Sequence, residues 1–307
     1  MNSAYIAKLM ELAEKDRDVI HLVADSGTGY DELFRRNFPQ QMYNFGIGEE
    51  NMIGAAAGMA TVGKKPFVFT AGAFLAYRCM EFIRDDVCFQ NLNVKIVGMG
   101  SGLSWSSLGP THHTTEDISV LRAIPGLMIL SPATPNQVAA CVEASYYHEG
   151  PVYLKIGMNH EDEYFDLKYS LNDRKNDVLQ EGSDSAVYVT GSILKEAVEA
   201  VKLLNEDGFS IKLVNVVCMK PFNEEDVLET AKNIRTIFTI EEHNIRGGLG
   251  SLVAETLAYH GIGTKVIPIG IHDGFASGYG SYTMVRKANK LDAISIYAKI
   301  KRALQDE

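Results

Sequence analysis

The chain has 307 residues, of which 46% are hydrophobic and 22% are charged, so its composition excludes a mainly disordered protein. Its length predicts two domains of about 150 residues each. The 39 acidic residues outnumber the 29 basic ones and give a net charge of −10. Because nucleic-acid binding depends on neutralising phosphates, this charge argues against a nucleic-acid-binding protein.

The first residues, 1–18, predict an amphipathic helix and show no signal-peptide pattern. No apolar run approaches the roughly 20 residues that a membrane-spanning helix needs, so we expect no membrane association. The cysteines have neither metal-ligand spacing nor a CxxC pair; they are Cys79, Cys88, Cys141 and Cys218. We therefore expect reduced, buried cysteines in a cytoplasmic protein, and no metal site built from them.

Short apolar runs alternate with segments of helical periodicity in the first half of the chain. Strands are predicted at 64–70, 94–100, 127–132 and 151–157, and helices at 50–62, 74–91 and 135–148. A regular strand–helix–strand order is typical of a parallel sheet covered by helices on both faces.

A polar, charged stretch at 159–177 interrupts this pattern and predicts a linker. The alternation then restarts, with strands predicted at 185–192, 211–222, 234–243 and 265–273, and helices at 193–208, 247–261 and 290–304. Asn223 is the predicted N-cap of a further helix. The prediction is an α/β protein with two domains in series, 1–160 and 179–307, joined by a linker at 161–178. Each domain is a mostly parallel sheet covered by helices.

Two segments of the predicted first domain carry candidate chemistry. In GIGEENMIGAAAGMA (46–60), a buried strand should end near Ile47, and Glu49 and Glu50 stand where a helix begins and its dipole favours carboxylates. In GPTHHTTED (109–117), two histidines on a loop suit proton transfer near neutral pH. Taken singly, each segment is equally typical of a structural role, as helix-terminal acids or as hydrogen-bonded loop histidines.

A third segment, EEHNIRGGLGSLVAE (241–255), has glycines before a predicted helix. Backbone N–H groups at such a helix start can bind phosphate. The segment matches neither the dinucleotide fingerprint nor a P-loop, and a structural turn is the alternative interpretation.

These segments, in this order and together with KPFVFTAGAFLAYRCMEFIRDD, NVKIVGMGSGL and GPVYL, resemble the transketolase family. The resemblance is to the C-terminal chain of two-subunit transketolases and covers essentially all of the sequence, as a pyrimidine-binding domain followed by a C-terminal domain. Deoxyxylulose-phosphate synthases and the beta subunits of 2-oxo-acid dehydrogenases are similar, but less closely. All of these enzymes use thiamine diphosphate. The resemblance implies a transferase that moves a two-carbon ketol unit to a sugar-type acceptor.

The family's functional residues have matches here. The resemblance implies that Glu49 contacts the aminopyrimidine ring of the cofactor and shares a proton with a ring nitrogen. It implies that Phe74 stacks on this ring, with Tyr77 as a second wall, and that Asp25 in LVADSG lies near the cofactor. It implies that His112 of GPTH faces the substrate hydroxyls. Retention of this set argues against a non-catalytic scaffold.

The family's motif for the diphosphate and its cation, GDG followed by Asn, is missing from this chain. The resemblance therefore implies an N-terminal transketolase subunit as partner, which carries that motif and holds the magnesium or calcium ion. We expect two copies of each chain, because closed two-fold assemblies are common. The alternative is that an unrelated phosphate loop in this chain, at 246–250, replaces the motif.

The presumed substrate pocket departs from the family pattern at three positions. Leu108 replaces an acid that would bind a sugar hydroxyl, while Gly100 and Met158 replace residues that contact the substrate phosphate. Trp105, the single tryptophan, stands beside them. Charge-assisted bonds to a phosphate contribute about 1.5–3 kcal/mol each, so their loss predicts an acceptor other than a simple sugar phosphate.

Three alternatives remain open on the sequence. Lys155, His160 or Arg36 could rebuild the phosphate contact and restore an ordinary transketolase. The chain could instead belong to a 2-oxo-acid decarboxylating synthase, or be a dehydrogenase beta-type subunit.

Overall fold

The computed structural model describes residues 1–25, 29–158, 161–171 and 175–306. Contacts divide the chain into two compact units. The first unit comprises Met1–Ser101 and Val120–Leu171, and the second comprises Gly102–Ser119 and Asn172–Glu307. The segment Gly102–Ser119, which contains the GPTHH motif, therefore folds with the second unit, although the sequence places it between strands of the first.

The elements up to Ile156 are α1 (Asn2–Lys15), β1 (Val19–Val23), α2 (Gly29–Asn37), β2 (Met42–Asn44), α3 (Glu49–Thr61), β3 (Lys65–Ala71), a π-helical segment (Phe74–Arg78), α4 (Met80–Phe82), a second π-helical segment (Ile83–Cys88), β4 (Lys95–Met99), α5 (Asp117–Leu121), β5 (Met128–Leu130), α6 (Pro135–Tyr147) and β6 (Val152–Ile156).

The elements from Asp177 onward are β7 (Asp177–Gln180), β8 (Ser185–Thr190), a 3-10 turn (Gly191–Ile193), α7 (Leu194–Glu206), β9 (Ile211–Asn215), β10 (Cys218–Lys220), α8 (Glu224–Ala231), β11 (Thr236–Asn244), α9 (Leu249–Tyr259), β12 (Lys265–Ile271), α10 (Tyr282–Ala288) and α11 (Ala293–Gln305).

The strands of the first unit lie in the order β5-β6-β4-β3-β1-β2, and each neighbouring pair is parallel. Strands β1, β4 and β6 are buried along their whole length, as expected for a sheet covered on both faces. Helix α1 is amphipathic as predicted and buries Tyr5, Ile6 and Leu9. Helix α3 buries only small side chains in its second half, including Ala56 and Ala57, which permits close packing.

The second unit contains a five-stranded sheet in the order β12-β11-β8-β9-β7. Its pairs are parallel except β7 with β9, which is antiparallel. The Asn223 side chain accepts a hydrogen bond from the Asp226 N–H, so the predicted N-cap of α8 is confirmed. Both units alternate strands with helices, which confirms the predicted α/β class with two domains in series.

Several local predictions were wrong for identifiable reasons. The helix predicted at 74–91 is largely π-helical, an irregularity that periodicity does not reveal. The strand expected to end near Ile47 is the short, mostly exposed β2, and Ile47 itself is 83% exposed. The strand predicted at 211–222 is divided into β9 and β10, and β7 begins inside the predicted linker. Residues 172–174 of that linker lie outside the described residues.

The four cysteines are buried and form no disulfide with one another. Within the described ranges, no helix combines the length and the apolar character that crossing a bilayer requires.

Candidate cofactor-binding and substrate-binding residues

Five adjacent strands of the first unit end at one edge of the sheet, and the candidate residues follow them. Parallel sheets bind ligands at this carboxyl edge. Asp25 follows β1, Glu49 follows β2, Phe74 and Tyr77 follow β3, Gly100 follows β4, and Met158 follows β6. The neighbouring order β6-β4-β3-β1-β2 therefore brings these six positions to one edge.

Glu49 is the first residue of α3, with Gly48 as the N-cap, so the positive end of the helix dipole favours its carboxylate. The residue is only 2% exposed. Its Oε2 accepts a hydrogen bond of 2.5 Å from Nη1 of Arg78, and the Nε of Arg78 lies 3.9 Å from Glu50 Oε1. A buried carboxylate is costly without a partner, and Arg78 supplies one here.

Phe74 and Arg78 are the two ends of the first π-helical segment, and the guanidinium carbon of Arg78 lies 5.1 Å from the centre of the Phe74 ring. This is a cation–π distance, at which a guanidinium stacks favourably on an aromatic ring. Tyr77, from the same segment, is 41% exposed. Glu49 and Phe74 thus hold between them a flat group with N–H donors, which is the shape and hydrogen-bonding character of an aminopyrimidine.

Cys79 directly follows this segment and is fully buried. Burial, reinforced by the nearby Glu50 and Glu49 carboxylates, raises the pKa of its thiol to about 12. The thiol therefore stays protonated at neutral pH, which makes it a poor nucleophile.

Asp25 has an exposed side chain and a φ of 42°, in the left-handed region that non-glycine residues seldom occupy. Its backbone N–H donates a 3.2 Å hydrogen bond to the Asn44 side chain, at the end of the neighbouring β2. Backbone strain of this kind clusters at ligand-binding sites.

In the second unit, His112 and Trp105 lie on one compact loop. The Leu108 N–H donates to the Trp105 carbonyl, and the His112 N–H donates to the Gly109 carbonyl. The ring centres of Trp105 and His112 are 6.1 Å apart in an edge arrangement. His112 Nδ1 lies 2.9 Å from the Thr111 hydroxyl, which helps to fix the ring for proton exchange.

A buried ionic network anchors this loop to the rest of the second unit. Glu242 of β11 accepts hydrogen bonds from the Leu103 N–H at 3.2 Å and from the Tyr282 hydroxyl at 2.7 Å, and also pairs with Arg286. Arg286 is 5% exposed and also donates to the Ser192 carbonyl at 2.8 Å. Although burial opposes its charge, the Glu242 carboxylate raises the pKa of Arg286 above its ordinary value.

His113 is buried, and neither ring nitrogen has a hydrogen-bond partner among the described residues. Burial lowers the pKa of His113, so the ring is neutral at physiological pH. The indole N–H of Trp105 is likewise buried without a partner in the described part of the chain. Orphaned polar atoms of this kind are uncommon in proteins, and they mark the loop as a place where a further group binds.

The glycine-rich start of α9 is already occupied by a carboxylate of the chain itself. Glu241 accepts hydrogen bonds from the N–H groups of Leu249 at 2.7 Å and Gly250 at 2.9 Å, while the Gly247 N–H donates to the Ser251 hydroxyl. These are the donors that a phosphate would need. The possibility that 246–250 serves as the diphosphate loop is therefore wrong, and the turn is structural.

The three substituted pocket positions can now be described. Gly100 is buried with a φ of 71°, a conformation that disfavours any side chain there. Leu108 is 45% exposed, and Met158 is partly buried just beyond β6.

The residues that could rebuild a phosphate site differ in their surroundings. Lys155 is buried within β6, whereas Arg36 is exposed and pairs with Glu32 at 3.0 Å. His160 lies outside the described residues. In the ranges that the structure covers, no group of three His, Cys, Asp or Glu residues is arranged to hold a metal ion.

Two family models match the chain. The pyrimidine-binding domain of transketolase matches residues 1–157, and the C-terminal domain of transketolase matches residues 174–296. The chain therefore belongs to the transketolase family, whose members are transferases that depend on thiamine diphosphate.

Similar proteins cover the chain almost end to end. One of the two subunits of an apulose-4-phosphate transketolase from Actinobacillus succinogenes is 34% identical over 96% of this chain and 97% of its own length. The 6-deoxy-6-sulfo-D-fructose transketolase subunit SqwH from Clostridium sp. is 34% identical over 84% of this chain and 80% of its own. A solved split-gene transketolase, described as an inactive beta4 tetramer, superposes with a TM-score of 0.90 at 32% identity, covering 99% of this chain and 98% of that one.

Sequence reasoning missed Arg78 and the network of Glu242, Arg286 and Tyr282. Arg78 had one available signal, since it stands four residues after Phe74, a spacing that places two side chains on the same helical face. Nothing local in the sequence marks Glu242 or Arg286, because their partners are distant along the chain.

Proposed function

We propose that this chain is the pyrimidine-binding subunit of a split transketolase-like enzyme, which transfers a two-carbon ketol unit to a sugar-type acceptor. The observation that supports this most strongly is the buried Glu49 carboxylate, held with Phe74 around a flat N–H donor at the carboxyl edge of the sheet. Thiamine diphosphate, when bound, supplies the electron sink for breaking and forming the carbon–carbon bond.

The chain's own residues bind and orient that cofactor and move protons. Glu49 shares a proton with a nitrogen of the pyrimidine ring, for which its position at a helix start and its burial are suited. Phe74 and Tyr77 form the apolar walls against the ring, and Asp25 lies at the same edge. His112, oriented by Thr111, exchanges a proton with a substrate hydroxyl, while Trp105 lines the acceptor pocket.

A partner chain completes the enzyme. This sequence lacks the diphosphate motif, and the one glycine-rich helix start considered for that role is filled by Glu241. The relatives named as transketolase subunits and the split-gene transketolase support the same division of labour. The partner holds the diphosphate through magnesium or calcium, and two copies of each chain assemble.

The acceptor is a sugar other than a simple sugar phosphate. Leu108 and Met158 carry no cation or polar donor, and the φ of Gly100 disfavours a side chain there. A phosphate that faced these residues would lose its water without gaining a partner, at a cost of about 1–3 kcal/mol per unpaired group. The unpartnered indole N–H of Trp105 offers a neutral donor instead, which suits a hydroxyl or a linked group.

Calorimetry with thiamine diphosphate and magnesium tests this assignment. The cofactor should bind tightly to this chain mixed with the diphosphate-binding chain, and poorly to either chain alone. Tight, magnesium-dependent binding to this chain alone would contradict the split site. Release of carbon dioxide from pyruvate by the mixture, without ketol transfer, would instead identify a 2-oxo-acid decarboxylating enzyme.

A further inference from the structure

Arg78 occupies the position that the proposed function assigns to the aminopyrimidine. Its Nη1 donates to Glu49 Oε2 at 2.5 Å, and its guanidinium lies over the Phe74 ring at 5.1 Å. These are the two interactions, a donor to the carboxylate and a flat group against the aromatic face, that the cofactor ring would make. One side chain of this protein therefore satisfies both walls of the candidate site.

We propose that Arg78 is a placeholder for the cofactor ring, which protects Glu49 in the cofactor-free chain and moves aside when thiamine diphosphate binds. This inference rests on the proposed function, because it takes Glu49 and Phe74 as the pyrimidine-binding residues.

The need for a placeholder follows from the burial of Glu49. At 2% exposure, its carboxylate has little access to water, and leaving a buried charge unpaired is strongly destabilising. Arg78 is the partner that the structure supplies. Once a ligand brings its own N–H donors to Glu49, the same interaction becomes redundant, and Arg78 then competes with the ligand for one oxygen and one ring face.

Arg78 has the freedom to leave. Its side chain is 41% exposed, so its charge can return to water, whereas Glu49 cannot. Glu50 is 39% exposed and already lies 3.9 Å from Arg78 Nε, so a second carboxylate stands ready on the solvent side. Rotation of the guanidinium from Glu49 towards Glu50 exchanges a buried partner for an exposed one.

The local backbone adds an independent observation. Phe74–Arg78 is π-helical, and Ile83–Cys88 forms a second π-helical segment only a few residues further on. Such irregular turns are rare and occur frequently at functional sites. Here the first one begins at the stacking aromatic and ends at the placeholder.

Competition makes a quantitative prediction for cofactor affinity. Removing Arg78 removes an interaction that must be broken before the ring can bind, so the Arg78→Gln variant should bind thiamine diphosphate more tightly. Because Arg78 is partly exposed, we expect about a tenfold lower Kd, which corresponds to about 1.4 kcal/mol. A residue that held the cofactor would give the opposite sign.

The experiment is calorimetric titration of thiamine diphosphate, with magnesium, into the complex of this full chain with the diphosphate-binding chain. Wild type, Arg78→Gln and the control Arg84→Gln are compared; Arg84 is 64% exposed, lies in the second π-helical segment and pairs with Asp85. Arg78→Gln should lower the melting temperature of the cofactor-free complex and show the larger rise when cofactor is added. Arg84→Gln should match wild type in both. Arg78→Lys, which keeps the charge but loses the flat fork, serves if Arg78→Gln does not fold, and should shift the Kd in the same direction by less.

Equal Kd values for wild type and Arg78→Gln would overturn the placeholder and leave the proposed function standing. Weaker binding in Arg78→Gln would also overturn it and would make Arg78 a cofactor contact. Failure of the wild-type complex to bind thiamine diphosphate would overturn the placeholder and the proposed function together.

Discussion

Replacing Arg286 by methionine should strongly destabilise the second unit. The residue is 5% exposed and its guanidinium contacts Glu242, Glu196 at 3.2 Å, the Ser192 carbonyl and the Tyr282 hydroxyl. Methionine fills much of the same volume but leaves Glu242, which is 4% exposed, as a buried charge without its cation. Breaking a buried pair in this way costs about 3–5 kcal/mol.

The expected change in melting temperature follows from domain size. For a domain of 150–250 residues, 1 kcal/mol corresponds to about 2–4 °C, so Arg286→Met should lower the transition of the second unit by about 6–20 °C. Differential scanning calorimetry measures this directly. Because Glu242 also holds the Leu103 N–H, the substrate KM of the assembled enzyme should rise as the loop bearing Trp105 and His112 loosens.

Two further variants separate the unpaired charge from a general packing effect. Glu242→Gln combined with Arg286→Met removes the stranded charge and should recover more than half of the loss. The control Arg302→Met removes an 86% exposed arginine that lies 3.8 Å from Asp306, and should change stability by no more than about 0.5 kcal/mol. The reasoning is refuted if Arg286→Met melts within about 2 °C of wild type, or if the double variant is no more stable than Arg286→Met.

The remaining predictions concern pH and substrate. Burial, with a smaller effect of Lys65, lowers the pKa of Lys95 to about 7, so between pH 7 and its ordinary value near 10.5 the unfolded chain binds one more proton, and stability should rise with pH relative to Lys95→Met, by up to about 1.4 kcal/mol per pH unit; a difference in unfolding free energy that stays constant from pH 6.5 to 9.5 would disprove this. In steady-state assays of the assembled enzyme with one ketose donor, unphosphorylated or nucleotide-linked sugars should be better acceptors than ribose 5-phosphate; a kcat/KM for ribose 5-phosphate of about 10⁴ M⁻¹s⁻¹ or above would identify an ordinary transketolase.

The sequence predicts what short segments determine. The alternation of apolar runs and helical periodicity indicates two α/β domains, and the order of the motifs picks out Glu49, Phe74 and His112. These features depend on residues within a few positions of one another, which one-dimensional patterns capture.

Long-range pairing accounts for what the sequence did not predict. The contact of Leu103 with Glu242 joins residues 139 positions apart and helps to assign Gly102–Ser119 to the second unit. Arg78 meets Glu49 across 29 positions, after a π-helical turn that periodicity cannot distinguish from an α-helix. The occupation of the glycine-rich turn by Glu241 likewise depends on the three-dimensional course of the backbone between β11 and α9.

The most direct test of the central claim is the turnover of Glu49→Gln in the assembled enzyme, measured beside its binding of thiamine diphosphate. Glutamine keeps the shape of the side chain and its place at the start of α3, but it cannot share a proton with the cofactor ring. Ketol transfer should fall by at least about 100-fold, the usual scale of general acid–base catalysis, while the variant keeps its melting transition and still binds the cofactor. Near-wild-type turnover in Glu49→Gln would contradict the assignment of this chain as the pyrimidine-binding subunit.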